Sequence, residues 1–260
     1  MCKIYDRAMS TLEKIVKIKR EKINLLKSSN NFTDHFITNN TKQYKQSFFD
    51  NLRNSTDKYK IIAEIKKGSP SAGIIVDNFD PLLCAKQYIE KGYKNLSVLT
   101  EEDHFFGSYL HIESIKKHHD IPILQKDFVI DEWQIYQAKI IGVDCILLIA
   151  EILTETEITD FIQLAKSLKL DVLLEFHSEK ELMKVIDQDV NYLGINNRNL
   201  HTLMTDINHC LTIRNKYEDV LKRFTIVAES GFNTVEELEK YRSNGIDMFL
   251  IGEGLLKEKL

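Results

Sequence analysis

Proline and glycine are scarce in this chain of 260 residues, with three and ten copies. So few breakers leave regular helices and strands free to fill nearly all of it. The four cysteines, Cys2, Cys84, Cys145 and Cys210, show neither CxxC nor Cys/His ligand spacing, which argues against a metal site and fits free thiols in a reducing cytosol. No apolar run approaches the roughly 20 residues that a membrane span needs. The opening Met1 to Arg7 also lacks the apolar stretch of a secretion signal. A soluble, cytoplasmic protein with no membrane partner is expected. Charge of one sign is missing too: 35 Lys and Arg face 39 Asp and Glu, so nothing draws the whole molecule to nucleic acid, and any anion must be bound locally. Neither GxGxxG nor GxxxxGK[ST] occurs, which disfavours an open nucleotide-binding sheet.

What the chain does have is repetition. From Ile61 onward, eight short apolar runs alternate with helical segments: Ile61 to Lys66, Asn95 to Thr100, Ile123 to Phe128, Cys145 to Ala150, Asp171 to Phe176, Tyr192 to Asn197, Thr225 to Ser230 and Met248 to Glu253. Runs as continuously apolar as Cys145 to Ala150 read as parallel strands buried on both faces, since a half-exposed strand would alternate. Between them lie helix starts at Asp80-Pro81, Asp131 and Asn233-Thr234, and helix-ending glycines at Gly92, Gly142 and Gly245. Eight βα units with so little left over make a closed (β/α)8 TIM barrel the economical α/β fold, with a doubly wound open sheet as the alternative. A single domain is expected, with residues 1–58 as a helical extension and 59–260 as the barrel. The extension reads as helical over Met9 to Leu26 and Gln43 to Leu52. The Lys14, Lys17, Lys19, Arg20 and Lys22 face of the first stretch reads as a solvated surface, or else the extension caps one barrel mouth.

In such barrels the chemistry sits where strands end, and here the endings are loaded: Glu64-Ile-Lys66, Gln125-Lys126-Asp127, Glu151, Glu175-Phe-His177, Asn196-Asn-Arg198 and Glu229-Ser-Gly231. Period-two alternation places Ile62, Glu64 and Lys66 on one face, Leu124, Lys126 and Phe128 on another, and Gly194, Asn196 and Arg198 on a third. A lone charge at a strand end is usually exposed or paired with a neighbour. Several converging on one mouth cost several kcal/mol each if uncompensated, a cost normally retained for catalysis or ligand charge. Ser230-Gly231 and Gly252-Glu-Gly254, after the seventh and eighth runs, have the glycine-at-helix-start form of a phosphate cradle.

Taken in order, Ile62-Ala-Glu-Ile-Lys-Lys-Gly-Ser-Pro-Ser-Ala-Gly73, Leu96-Ser-Val-Leu-Thr-Glu101 with Phe105-Phe106, Pro122-Ile-Leu-Gln-Lys-Asp-Phe128, Leu173-Leu-Glu-Phe-His177, Gly194-Ile-Asn-Asn-Arg198, Ala228-Glu-Ser-Gly231 and Leu250-Ile-Gly-Glu253 resemble the indole-3-glycerol-phosphate synthase family across essentially the whole chain. The resemblance implies an enzyme of tryptophan biosynthesis, a carboxy-lyase that turns the sugar phosphate 1-(2-carboxyphenylamino)-1-deoxyribulose 5-phosphate into indole-3-glycerol phosphate with no metal or cofactor. It implies Lys126 as general acid and Glu175 in the acid–base chemistry of dehydration. Lys66 would lie on the anthranilate carboxylate with a share in proton transfer, positioned by Glu64, while Asn196 and Arg198 would hold substrate and order these groups. Ser69, Ser230, Gly231, Gly252 and Glu253 fall around phosphate and sugar, the last through its backbone N–H.

The residue types suit that chemistry independently. An ammonium with its pKa lowered by burial or a neighbouring cation gives up a proton near neutral pH, and Phe105, Phe128, Leu147 and Ile251 can wall an aromatic ring. Three departures from the family pattern stand out: Gly107-Ser108 in place of a glycine pair before serine, Asn199 for aspartate, and Gly68 for alanine, read as added flexibility. A monomer that binds no nucleic acid is expected. The rivals are an isomerase, an epimerase or a Schiff-base aldolase on the same kind of barrel, and a barrel that binds a sugar phosphate without turning it over.

Overall fold

A computed structural model of the chain describes residues 9–29, 47–257 and 259–260. Eight parallel strands close into a barrel: β1 (Lys60–Ile65), β2 (Asn95–Leu99), β3 (Ile123–Lys126), β4 (Cys145–Ile149), β5 (Asp171–Phe176), β6 (Tyr192–Asn196), β7 (Thr225–Glu229) and β8 (Met248–Ile251), with β8 returning to β1. The closed order leaves no open-sheet edge, so the doubly wound alternative falls. Most strands stop one or two residues before the apolar run does, because residues such as Asp127 and Phe128 leave the ladder to build a loop at the C-terminal mouth, and Gly252 and Glu253 open the last helix.

Helices cover the outside, among them α3 (Pro81–Glu90), α4 (Tyr109–His118), α5 (Glu132–Ile140), α6 (Glu155–Ser167), α7 (Glu179–Val185), α8 (His209–Lys216), α9 (Glu218–Leu221), α10 (Val235–Ser243) and α11 (Glu253–Leu256). Their starts are where side-chain oxygens can hold the first N–H groups: Asp80 caps α3, Asp131 caps α5, and Thr234 forms a reciprocal capping box with Glu237 at α10. Gly92, Gly142 and Gly245 follow their helices with φ of 93°, 84° and 80°, the left-handed turn that glycine adopts without strain.

Alternation along the strands makes two apolar layers. Ala63, Ile146, Leu148, Leu174, Ala228 and Phe249 face the helices, whereas Ile62, Leu124, Cys145, Leu147, Leu173, Val227, Met248 and Leu250 fill the barrel. Cys145 and Cys210 are buried free thiols and Cys84 is half-buried, whereas Cys2 lies outside the described residues.

The segment ahead of β1 closes both ends of the barrel. Helix α2 (Phe48–Arg53) sits under the N-terminal ends of the strands: Phe49 stacks on Tyr192 at 3.6 Å, Asn95 Nδ2 donates to Phe48 O at 2.8 Å, and Ser47 Oγ donates to Asp171 Oδ2 at 2.6 Å. Helix α1 (Thr11–Ser29) lies over the opposite mouth, where Leu12 and Ile15 join the interior cluster beside Phe128. Its basic face is not simply solvated. Lys19 pairs with buried Asp127 at 2.7 Å, and Lys22 reaches Glu102 and Asp103, because the loops below supply the carboxylates; Lys14, Lys17 and Arg20 remain exposed. The Gln43 to Gln46 part of the second helical expectation lies outside the described residues. Among the described residues no helix is long and apolar enough to cross a membrane.

Candidate active site

At the C-terminal mouth, β1, β3, β5 and β7 each send a charged residue inward. Lys126 Nζ stands 2.7 Å from Glu175 Oε2 and 3.1 Å from Glu229 Oε2. On β1 and its exit, Lys66 Nζ stands 2.7 Å from Glu64 Oε1, the same-face pair that alternation requires. Asn196 donates from Nδ2 to Glu175 Oε1 at 2.8 Å, and its Oδ1 accepts from Arg198 N at 2.9 Å. Glu175 and Glu229 are each 1% exposed, so these charges have been taken out of water and hold one another in place.

Burial opposes the Lys126 ammonium, but Glu175, Glu229 and Glu64 together outweigh it and hold the pKa above the ordinary lysine value. This corrects the expectation of a lowered lysine: the carboxyls around it are nearer than any cation. Burial also works against the Glu175 carboxylate, yet Lys126, then Asn196 and Glu229, keep it below the usual range. Glu229 carries the balance. Burial and the charge of Glu175 push it up to about 8 against the pull of Lys126, the direction expected for one of two adjacent buried carboxyls. A fourth acid, Glu151, follows β4 in the same phase. Burial first, then Glu175 and Glu181, push it up to about 8, and its Oε2 has no hydrogen-bond partner among the described residues.

Two adjoining cavities share Glu64, Lys66, Lys126, Arg198 and Ser230 in their linings. One, of about 410 Å³, runs along Ser230, Gly231, Phe232, Asn233, Gly252, Glu253 and Gly254. Gly252 is needed there because a Cβ would overlap Glu64 Oε1 and approach Lys66 Nζ to 2.9 Å. Glu253, also in this lining, turns its carboxylate to Lys257. The other, of about 100 Å³, is walled by Phe105, Phe128, Leu147 and Ile149 and reaches Ser69, Glu175 and Asn196. Ile251 lines the larger cavity and not this one. Its side chain packs in the helix-facing layer, and Leu250 takes the inward position, as alternation along β8 dictates.

The loops after β1 and β2 explain two departures. Gly68 and Ser69 pair antiparallel with Gly73 and Ile74 in a short hairpin. A Cβ at Gly68 would overlap Gly73 O and crowd the Phe106 ring, so glycine serves close approach there, not flexibility. Gly107 is similarly pressed on the Leu99 and Glu101 carbonyls, and Ser108 caps α4. Asn199 accepts from His201 N and Thr202 N through Oδ1, each at 2.9 Å, a turn that aspartate could equally make. Arg198 Nη1 donates to Ser71 Oγ at 3.0 Å and ties the loops after β1 and β6 together.

A family model described as indole-3-glycerol phosphate synthase matches residues 12–259. The chain belongs to that family. Indole-3-glycerol phosphate synthases from Lachnoclostridium phytofermentans and from Legionella pneumophila strain Paris are 37% and 40% identical to it, each alignment covering 95% of this chain and 94% of the relative. The barrel is also similar to a solved N-acetylmannosamine-6-phosphate 2-epimerase from Clostridium perfringens, with a TM-score of 0.56 over 82% of this chain and 93% of that one, at 11% identity. That likeness concerns the fold alone. For a member of the indole-3-glycerol phosphate synthase family, the residue that sequence reasoning left out of its catalytic set is Glu229. It ends β7 in the same inward phase as Val227, so the alternation that selected Glu64 selects it as well.

Proposed function

We propose that this chain makes indole-3-glycerol phosphate from 1-(2-carboxyphenylamino)-1-deoxyribulose 5-phosphate, a ring closure with loss of CO₂ and water, and that one barrel mouth supplies every group needed. The phosphate lies in the larger cavity on the Ser230-Gly231 and Gly252-Glu253 turns, where backbone N–H groups suit an anion. The anthranilate ring lies between Phe105, Phe128 and Leu147, with its carboxylate toward Lys66. Ser69 and Arg198 close over the sugar.

With the ring carbon against the ketone, Lys126 donates to the carbonyl oxygen and gives it the proton as the new C–C bond forms. A lysine with a raised pKa is a reluctant acid by itself, and Glu229, 3.1 Å away, is placed to return a proton in place of the one given up. Loss of CO₂ from the carbon that attacked restores the aromatic ring. Glu175, an ionised base fixed by Asn196, then removes the proton that dehydration requires while the hydroxyl leaves with a proton from the Lys66 and Glu64 side. A lysine held protonated by carboxylates is a poor nucleophile, which disfavours a Schiff-base aldolase. Because all these residues come from a single barrel, a monomer suffices, as sedimentation of the purified protein would check.

The observation that carries this reading is the Lys126 ammonium set between the Glu175 and Glu229 carboxyls beside the cavity of about 410 Å³ that the Ser230-Gly231 and Gly252-Glu253 turns line. Incubation with the substrate in the presence of a chelator should give the rise in indole fluorescence. Tight binding without product would leave a binding barrel in its place.

A further inference from the structure

We propose that His177 and His209 form a clamp that positions Glu175 through Asn196. Neither ring lines the two cavities, so both act through other groups. His177 is the first residue beyond β5, two after Glu175, and its Nδ1 lies 2.7 Å from Asn196 O at the end of β6. His209, the first residue of α8, places Nε2 2.6 Å from His177 O. The two rings stack with centroids 4.1 Å apart and planes 20° from parallel.

Carbonyl oxygens only accept, so the partners dictate the tautomers: His177 carries its proton on Nδ1 and His209 on Nε2. The result is a closed circuit. The ring of His177 fixes the end of β6, its own carbonyl is fixed by α8, and the stack holds both rings in plane. Asn196 is thereby gripped at its backbone by His177 and at its side-chain oxygen by Arg198 N, leaving its amide N–H on Glu175. A shift in the Asn196 backbone would move that amide and turn Glu175 away from Lys126.

The groups facing His177 are Glu175 on β5, Glu181 on α7, the Asn196 carbonyl on β6 and His209 on α8. Burial is the largest influence and, with His209, outweighs the others to keep the ring below the ordinary histidine range. A neutral His177 suits the stack, since two imidazolium rings at that separation would repel.

The clamp rests on the functional reading above, and its test separates the two. Asn at 177 and Gln at 209 each put an amide N–H near the ring nitrogen in use, whereas Leu removes it. His177→Leu and His209→Leu should lose roughly 10- to 100-fold in kcat with KM within about twofold, the signature of a displaced catalytic group. His177→Asn and His209→Gln should stay within about fivefold of wild-type kcat. Leucine variants with wild-type kcat, or amide variants as slow as the leucine ones, would overturn the clamp. A substrate-free measurement stands beside this one: ¹⁵N spectra of histidine-labelled protein should show the Nδ1–H form for His177 and the Nε2–H form for His209. The opposite tautomers would overturn it even if the leucine variants fail to fold. Absent turnover in the wild type would count against the functional reading, with the tautomers still deciding the clamp.

Discussion

Gly194 makes the space that Glu229 occupies: a Cβ on Gly194 would overlap Glu229 Oε1. Two neighbouring strands thus share one volume, with an absent side chain on β6 matched to a catalytic-site carboxyl on β7. Gly194→Ala should therefore push Glu229 off Lys126, costing about 1–3 kcal/mol of stability through overpacking and slowing turnover more than it weakens substrate binding. Denaturant midpoints together with kcat and KM measure both effects.

Lys126→Met should abolish ring closure, lowering kcat by at least about a thousandfold, while the phosphate-anchored substrate still binds. Single-turnover fluorescence with equilibrium binding by quenching would check it. Near-normal turnover would remove Lys126 from the general-acid role.

Glu175→Gln should keep the affinity for substrate and the hydrogen bond from Asn196 yet fail at dehydration. Rapid quench and mass spectrometry should find the decarboxylated, still hydrated compound accumulating. A raised KM with unchanged kcat would make Glu175 a binding residue instead.

Glu151 and Glu229 both have folded-state pKa values pushed up to about 8 from 4.5. Acids raised on folding favour the native state fully below the unfolded value, and that contribution is lost as pH climbs from about 4.5 through about 8. Unfolding free energy should accordingly fall across this window. Glu151→Gln should flatten the fall and gain on the order of 1–3 kcal/mol at pH 8. Urea titrations at several pH values would show a parallel, unflattened curve if Glu151 is already ionised in the fold.

Lys19→Ala should loosen α1 from the mouth without unfolding the barrel, because it leaves the Asp127 carboxylate, among the described residues, with Thr100 Oγ1 and Phe128 N as partners and no cation. Amide exchange along α1 should rise by about 10-fold or more, the equivalent of at least about 1.4 kcal/mol, while the strands keep their protection.

Much of this arrangement was legible from strand phase alone. Continuous apolar runs identified the eight strands, and period-two counting put Glu64 with Lys66 and Asn196 with Arg198 before any contact was known. The surroundings of Lys126 are not legible in the same way, since its partners Glu175 and Glu229 come from strands 49 and 103 residues later in sequence (175 − 126 and 229 − 126) and no local pattern reports their distance. The same limit applies to Lys19, which reads as solvent-facing until the loop that carries Asp127 folds beneath it. Ile251 is one residue out of phase with inward-facing Leu250 on β8, so it borders the larger cavity and not the apolar one.

Phe49 against Tyr192 is as far from the chemistry as the barrel permits, with the whole length of the strands between them. That separation makes the two ends independently adjustable. Heat tolerance can be raised at the closed floor while catalytic rate and substrate choice are altered in the loops above, so variants selected for durability and variants selected for speed should be combinable in one chain with little mutual interference.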